Sequence, residues 1–340
     1  MVPNKWTPMY QTLCVLLATI ALAAGHYQTL HAATTTVTFQ SSNYSDMRQL
    51  LARDAATGAV TVKANLGFPE QASDRYPAVI VVHGIGGYRD NNEGYVAAEL
   101  RKIGFATLIY DSFAARGTTG AALQGSPGYL MPGVADAFAA LRLLSAEPRV
   151  DTDRISIIGF SYGAEVAHLA AFETLRSALN PGAGRFAAHV AFYPGGSFGA
   201  IAEAGAYTGA PVLMLLGGKD DNLPVTKIES YLAYARAAGA PAPIETVIYP
   251  GAYHAWTFPD AASARFYPDF VSTKECPVIL LGPKRPALLI DGEAKRFVPA
   301  TFDACIAAAP GYSMGFDVAV RAQSLADTVS FLLRNLRQVN

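Results

Sequence analysis

Charge is scarce in this chain of 340 residues. Charged side chains make up 16% of the sequence, and 26 Lys and Arg nearly balance 27 Asp and Glu, for a formal net charge of -1. Since no stretch is rich in Lys or Arg, the chain lacks the basic surface that nucleic-acid binding requires, and no nucleic-acid partner is expected. A small neutral or mildly anionic substrate is the simpler expectation.

Long hydrophobic runs are also few, although hydrophobic residues make up 51% of the chain. The run over residues 13–24 follows Lys5, precedes Ala32 and Ala33, and is shorter than the ~20 residues that cross a bilayer. These features predict a signal peptide over residues 1–32, although a cut after Ala23 fits equally well and a retained membrane anchor is the alternative. A periplasmic or secreted protein is therefore predicted, with no stable membrane association after signal cleavage.

Cysteine is rare as well, with 3 in the chain. Cys14 lies in the apolar run and would leave with the signal peptide, so the mature protein keeps Cys276 and Cys305. In an oxidising compartment such a pair is expected to form a disulfide.

Short apolar segments that alternate with helical ones are abundant. Segments of strand character occupy residues 35–39, 59–64, 78–82, 105–110, 155–158, 188–192, 211–216 and 244–249, and helical segments occupy 94–103, 134–145, 164–178, 225–238 and 318–336. Apolar runs without polar alternation are typical of strands covered on both faces. The sequence therefore predicts an α/β fold with a mostly parallel central sheet and helices on both faces.

One segment, residues 258–316, breaks this alternation. It is rich in Pro, Gly and Ala and holds both mature cysteines. Since a compact domain seldom contains a loop of this length, we interpret it as an insertion before the last helix, with little regular structure and a disulfide to hold it. Residues 34–340 are otherwise expected to form one domain.

The predicted chemistry begins at residues 159–163, which read Gly-Phe-Ser-Tyr-Gly. An apolar strand ends at the first glycine and a helix starts after the second. This is the setting of a nucleophile elbow, a tight turn that presents its serine at the carboxyl edge of the sheet. The context predicts Ser161 as a nucleophile, and a serine that only caps the helix is the alternative.

A serine hydroxyl needs a base, and the base needs an orienting carboxylate. In this fold the order along the chain is Ser, then Asp or Glu, then His, and Asp220 and His254 each lie shortly after a predicted strand. We therefore predict Asp220 as the acid and His254 as the base. Asp221 is the alternative acid, less favoured by its spacing from Pro224.

The loop after the strand over residues 78–82 reads His83-Gly84-Ile85-Gly86-Gly87. A loop at this place supplies half of the oxyanion hole, so the backbone amides of Ile85 and Tyr162 are predicted to bind the developing negative oxygen. The ring of His83 is expected to hold the loop in place, with a role as base as the alternative.

Together these motifs resemble the dienelactone hydrolase family of α/β hydrolases, from about residue 76 to the last helix, apart from the insertion. The likeness is carried by HGIGG, YDSFAARG at 110–117, DRISIIGFSYG at 153–163, FYPGG at 192–196, GGKDDNLP and YPGAYHAW. The resemblance implies Ser161, Asp220 and His254 as nucleophile, acid and base. We expect no cofactor and no metal.

Two departures from the family bear on the substrate. Its best-known lactone-cleaving members carry a cysteine at the elbow, where this chain has Ser161, and they bind an anionic substrate through two arginines. Arg116 could match the first arginine, with a surface salt bridge as the alternative, but no arginine follows His254 where the second is expected. A general carboxylic ester is therefore expected rather than dienelactone.

The resulting prediction is an exported serine esterase or lactonase that acts on a small-molecule substrate. A peptidase or acyltransferase of the same fold and a non-catalytic binding protein are the alternatives. The stretch between FYPGG and the next strand is too short for a large helical cap, so we expect a shallow, open cleft walled on one side by the insertion. Candidate aromatic residues for an acyl pocket are Phe113, Tyr162, Tyr253 and Trp256.

Overall fold

A computed structural model describes residues 34–126, 128–182, 184–196, 198–281 and 286–336. The predicted signal peptide, residues 1–32, lies outside these ranges, so its cleavage stays a prediction. Within them, no helix combines the length and the apolar character needed to cross a membrane.

A sheet of eight strands forms the centre of the described part of the molecule. The strands up to residue 249 are β1 (Thr34–Asn43), β2 (Gly58–Gly67), β3 (Tyr76–Val82), β4 (Ala106–Tyr110), β5 (Val150–Phe160), β6 (His189–Phe192), β7 (Gly199–Ala200), β8 (Val212–Gly217) and β9 (Ile244–Tyr249). All but β7 belong to the central sheet, in the order β1-β2-β4-β3-β5-β6-β8-β9. The pairs β1–β2 and β2–β4 are antiparallel, and the other neighbours are parallel. The predicted fold is confirmed, and all eight predicted strand segments lie in this sheet.

Helices cover both faces of the sheet. The α-helices of the described residues are α1 (Met47–Leu51), α2 (Tyr95–Lys102), α3 (Gly120–Leu123), α4 (Met131–Ser145), α5 (Tyr162–Leu169), α6 (Glu173–Leu179), α7 (Val225–Ala237), α8 (Pro299–Ala308) and α9 (Val318–Asn335). One core cluster packs α4, α5 and α7 against one face, and a second packs α2 and α9 against the other. Strands buried on both faces explain the continuous apolar runs in the sequence.

The segment predicted as one helix over residues 164–178 is two helices. Helix α5 ends at Leu169 and α6 begins at Glu173, because Phe172 has extended backbone angles of φ -85° and ψ 129°. Phe172 forms a β-bridge with Tyr207. This partner is distant in sequence, so no local pattern could predict the break.

The insertion, residues 258–316, is more ordered than predicted. It contains β10 (Arg265–Tyr267), β11 (Val278–Leu280), β12 (Ala287–Ile290), β13 (Glu293–Arg296), helix α8 and β14 (Tyr312–Met314). Strand β11 pairs in parallel with β7, and β12 and β13 extend this pair into a second sheet. The expectation of little regular structure was wrong because these short strands are stabilised by pairing with β7, which their own sequence does not indicate.

Two features close the insertion on itself. A disulfide joins Cys276 and Cys305, as predicted, with 5.2 Å between their Cα atoms. At the base of the segment, the amide of Phe316 donates to the oxygen of Ala261 at 2.7 Å. The amide of Asp317 donates to the Trp256 oxygen at 3.0 Å, so the chain leaves and re-enters the core at neighbouring points.

Candidate active site

Ser161 lies at the turn between β5 and α5. Its backbone angles, φ 51° and ψ -109°, lie in a region that residues with a Cβ seldom adopt, which is the strain expected of a nucleophile elbow. The flanking glycines are required: a Cβ on Gly159 would lie 1.8 Å from the Gly163 oxygen, and one on Gly163 would lie 2.3 Å from the Val82 oxygen. The turn places Ser161 at the carboxyl edge of the sheet.

Three predicted side chains meet at this edge. The Ser161 hydroxyl lies 2.8 Å from His254 Nε2, and His254 Nδ1 lies 2.8 Å from Asp220 Oδ2. Since a carboxylate only accepts hydrogen bonds, Nδ1 carries the proton and donates to Asp220, which leaves Nε2 free to accept from Ser161. Asp220 is 5% exposed and His254 is 1% exposed, so the bond between them is shielded from water.

The two neighbouring carboxylates after β8 have different partners. Asp220 Oδ1 accepts from the amides of Asn222 at 2.9 Å and Leu223 at 3.3 Å, which orients the carboxylate toward the imidazole. Asp221 instead contacts the insertion, where its Oδ1 accepts from the amide of Ser313 at 2.7 Å. The fold therefore brings Asp220, and not the alternative Asp221, to His254.

The imidazole of His254 lies between two tyrosine rings. Tyr193 and Tyr312 both approach it edge-on, with 5.1 Å between ring centroids in each case. The Tyr193 hydroxyl is hydrogen-bonded to Thr257, and the backbone oxygen of His254 accepts from the amide of Gly315 at 3.0 Å. Because Tyr312 and Gly315 belong to the insertion, this segment helps to position the imidazole.

The loop after β3 lies against the serine, since a Cβ built on Gly84 would be 3.9 Å from Ser161 Cβ. His83 holds this loop. Its Nε2 accepts from the amide of Ser112 at 3.0 Å, so Nδ1 is protonated and donates to the Gly84 oxygen at 2.7 Å. The ring is fully buried and both nitrogens are engaged, as a positioning role requires.

The two residues whose amides are predicted to form an oxyanion hole, Ile85 and Tyr162, are neighbours of the serine. Ile85 lines the space beside Ser161, and Tyr162 is the first residue of α5, whose amide has no acceptor within the helix. The side chain of Tyr162 is buried, and its hydroxyl accepts from the amide of Gly133 at 2.9 Å. Only the backbone of Tyr162 is therefore placed to act at the site.

A buried carboxylate that sequence reasoning missed supports the loop after β3. Glu93 is 1% exposed, and it accepts from the amides of Gly84 at 3.2 Å and Arg89 at 3.0 Å. Burial raises the pKa of Glu93. In the sequence it stands in the polar stretch RDNNEG, a composition that indicates a solvated surface, so only tertiary structure reveals its role.

Arg116 does not reach the site. Its guanidinium forms a two-point ion pair with Asp136, at 2.8 and 2.9 Å, and its Nε donates to Asn43 at 2.7 Å. The side chain of Arg116 is 9% exposed and that of Asp136 is 0% exposed. The expectation that Arg116 binds substrate is therefore not supported, and its salt bridge is buried rather than at the surface.

Two cavities open from Ser161 in place of the shallow cleft that was expected. The first, of about 610 Å³, lies between α5 and the insertion. The second, of about 530 Å³, lies over the loop after β3 and reaches His254. Residues of the insertion line both of them, including Tyr312.

The aromatic residues suggested for an acyl pocket have separate places. Phe113 lines the second cavity. Tyr162 and Trp256 are fully buried in the two core clusters. Tyr253 lies beneath the Lys219 ammonium, which is 5.3 Å from its ring centroid. Of the four, Phe113 is the one that lines either cavity next to Ser161.

The arrangement supplies a serine hydroxyl and a buried imidazole and carboxylate joined by hydrogen bonds. This set of groups is suited to acyl transfer through the serine oxygen. Across the described ranges, no group of three or more His, Cys, Asp and Glu side chains is placed to hold a metal ion.

More than half of the chain matches a known family. The sequence profile of the dienelactone hydrolase family matches residues 62–275. The chain belongs to the dienelactone hydrolase family. The matched range contains Ser161, Asp220 and His254, whereas most of the insertion and helix α9 fall outside it.

Two curated relatives are similar to about half of this chain. An uncharacterised protein of Mycobacterium tuberculosis is 33% identical over 198 residues, which are 55% of this chain and 66% of the relative. A protein of Methylorubrum extorquens, provisionally named a carboxymethylenebutenolidase, is 29% identical over 193 residues, which are 53% of this chain and 63% of the relative. The match thus spans just under two thirds of these relatives.

A solved structure shares the fold over most of this chain. It is a dienelactone hydrolase-like promiscuous phosphotriesterase from metagenomic libraries, with a TM-score of 0.54 and 18% identity, and the match covers 88% of this chain and 98% of that one. The likeness shows the α/β-hydrolase fold.

Proposed function

We propose that this protein is an exported serine hydrolase that cleaves carboxylic esters or lactones through an acyl-enzyme on Ser161. The observation that carries the proposal is the pair of 2.8 Å hydrogen bonds that runs from Ser161 through His254 to Asp220. Membership of the dienelactone hydrolase family, and a relative provisionally named a carboxymethylenebutenolidase, support an ester or lactone as the substrate.

In the first half of the reaction, the Ser161 oxygen bonds to the carbonyl carbon while its proton passes to His254 Nε2. Asp220 holds Nδ1 and stabilises the imidazolium that forms. The carbonyl oxygen becomes negative, and the amides of Ile85 and Tyr162 donate to it, each such donor contributing about 3 kcal/mol to the transition state in a serine protease. The bond to the alcohol oxygen then breaks, and His254 gives the proton to that oxygen.

In the second half, water attacks the acyl-enzyme. His254 Nε2 takes a proton from the water as its oxygen bonds to the carbonyl carbon, and then returns the proton to the Ser161 oxygen as that ester bond breaks. The products are the free acid and the regenerated serine. In both halves of the reaction a proton moves between the Ser161 oxygen and His254 Nε2, which are 2.8 Å apart. One imidazole can therefore act in both halves.

Export is part of this proposal. It is supported by the predicted signal peptide over residues 1–32 and by the disulfide between Cys276 and Cys305, since such bonds persist mainly in oxidising compartments. A periplasmic or secreted location follows.

The decisive experiment removes the hydroxyl of Ser161. The pure protein should hydrolyse short 4-nitrophenyl esters, and Ser161→Ala should lower kcat by about 10⁶-fold, the loss found for the nucleophile of subtilisin. A fluorophosphonate probe should label the native protein at Ser161 and leave the variant unlabelled. Ser177→Ala, which removes a hydroxyl on α6, is the matched control and should keep full activity.

Near-normal ester hydrolysis by Ser161→Ala would rule the proposal out. Turnover of peptide amides in preference to esters would instead favour the peptidase alternative, which uses the same three side chains with a different leaving group.

A further inference from the structure

The two cavities that open from Ser161 differ in their relation to His254. Both are lined by Ser161, and the second is lined by His254 while the described residues around the first do not include it. In the mechanism proposed above, His254 Nε2 delivers a proton to the leaving alcohol oxygen. The contact with His254 favours the second cavity for the alcohol, which leaves the first cavity for the acyl chain.

One wall of the first cavity is a face of α5. Glu165, His168 and Leu169 follow Ser161 at helical spacing and all line this cavity, because side chains three and four apart share a helix face. Glu165 adds a carboxyl group one helical turn from the serine. Beyond that turn this wall consists of the His168 ring and Leu169.

Residues of the insertion also line this cavity. Val278 and Leu280 of β11 belong to the main core cluster, and Leu281, the next residue after β11, packs against that cluster. Both Ile279 and Leu281 line the first cavity. The insertion thus adds branched apolar side chains to the cavity that the α5 face also lines.

Apolar side chains form most of the lining of the first cavity, and the buried polar residues Glu165, Asn222 and Thr273 also line it. His168 is neutral there, since burial lowers its pKa to about 3. Its Nε2 is 3.0 Å from the Tyr207 hydroxyl, and its ring stacks on Phe198. The charged side chains of Arg48 and Asp303 lie where the cavity meets solvent, and both are exposed.

We propose that the first cavity is an acyl subsite for apolar chains longer than butyryl, and that Ile279 and Leu281 determine the preferred chain length. The volume of about 610 Å³ is within the range of about 300–1,000 Å³ that encloses small organic ligands. This inference rests on the proposed ester hydrolysis, and it names the part of the substrate that the insertion selects.

A series of 4-nitrophenyl esters from acetate to decanoate measures the subsite. Complete burial of one methylene changes a binding constant about fourfold. We therefore expect kcat/KM to rise about two- to fourfold per methylene until the cavity is filled. The value for octanoate should exceed that for acetate at least about tenfold. Ile279→Trp fills the cavity and should lower the octanoate-to-acetate ratio at least about tenfold. Ile279→Ala should move the optimum to longer chains.

The matched control is Lys295→Trp, which adds the same side chain on the exposed strand β13 of the insertion. It should leave the octanoate-to-acetate ratio unchanged. Circular dichroism checks that each variant is folded, and Leu281→Trp carries the same test if Ile279→Trp does not fold.

Three results would overturn the inference. The first is an octanoate-to-acetate ratio near unity in the native protein, and the second is a ratio that Ile279→Trp leaves unchanged. The third is a ratio that falls with Thr118→Trp, in the second cavity, and not with Ile279→Trp, which would reverse the two subsites. Failure of the proposed function is distinguishable from both, since Ser161→Ala would then hydrolyse acetate and octanoate as fast as the native protein.

Discussion

The central sheet and the insertion differ in what makes them regular. Strands β3, β4, β6 and β8 are almost entirely buried, and their apolar runs indicate this in the sequence. The strands of the insertion are 3 or 4 residues long. They depend on partners such as β7 for β11 and the His254 loop for β14. A segment with weak signals of its own is thus ordered by pairing with strands and loops that are distant in sequence.

The comparison between the sheet and the insertion is tested most strongly at two adjacent carboxylates. Asp220 is hydrogen-bonded to His254, and Asp221 accepts from Ser313 of the insertion. Asp220→Asn should lower kcat by about 10⁴-fold, as the same change does in a serine protease triad, where the imidazole takes the wrong tautomer. Asp221→Asn only weakens the bond to the Ser313 amide, and should lower kcat by less than about tenfold.

Both variants are compared on one short 4-nitrophenyl ester, so each is the control for the other. The opposite ranking of the two kcat values would show that Asp221, and not Asp220, orients His254.

Loss of the disulfide should destabilise the insertion more than the central sheet. For a sequence separation of 29 residues, the chain-entropy model gives about 3.6 kcal/mol, an upper value for the free energy lost without the bond. Cys276→Ala with Cys305→Ala should therefore loosen the insertion, and with it the contacts of Tyr312 and Gly315 to His254. Activity should fall, or chain-length preference change, at temperatures where far-ultraviolet circular dichroism remains native.

Reductant should have the same effect on the native protein and none on the double alanine variant, which is the control. If activity and the dichroism signal disappear together, the insertion and the sheet unfold as one unit. Two alkylatable thiols in the non-reduced mature protein would contradict the disulfide itself.

Acid should act on the core through its buried histidines. The insertion contains no histidine, whereas burial lowers the pKa of His168 to about 3 and that of His189 to about 4. The unfolded chain binds these protons at about pH 6.5 and the folded core only at lower pH, so the free energy of unfolding falls as the pH drops from about 6.5 to about 4. The fall is at most about 1.4 kcal/mol per pH unit for each histidine.

Urea denaturation at about pH 7 and about pH 5 measures this slope. His168→Gln should make the dependence shallower, because one of the two groups that bind a proton only on unfolding is then missing. A variant with the same pH dependence as the native protein would assign the effect to other groups.

The sheet and the main residues of the site could be predicted because their signals are local. A strand followed by Gly-x-Ser-x-Gly and a helix indicates the elbow at Ser161 by itself. Asp220 and His254 follow because parallel strands end at one edge of a sheet, so loops far apart in sequence meet there. These predictions required the order of the segments and no knowledge of their packing.

The contacts that hold the site could not be predicted, because each depends on a partner distant in sequence. Glu93 is buried although its neighbours in the sequence are polar. Tyr312 lies in the insertion, and it reaches the site only because β14 pairs beside His254. Arg116 is a residue whose local context suggested a role that it does not have. Its place in a family motif suggested a substrate ligand, whereas its guanidinium forms a two-point ion pair with Asp136, on a helix later in the chain.

The closed base of the insertion has a consequence for protein engineering. Phe316 is hydrogen-bonded to Ala261, and Asp317 to Trp256. The two ends of the insertion are therefore fixed next to each other, so that the residues between them can be exchanged as one cassette. Residues 262–311 are the part to exchange in a loop-grafting library. Residues 312–316 must be kept, because Tyr312 packs on the His254 imidazole and Gly315 donates to the backbone oxygen of His254. If the insertion forms the acyl subsite proposed above, new cassettes will change the preferred chain length while the serine turn and the sheet keep their native sequence.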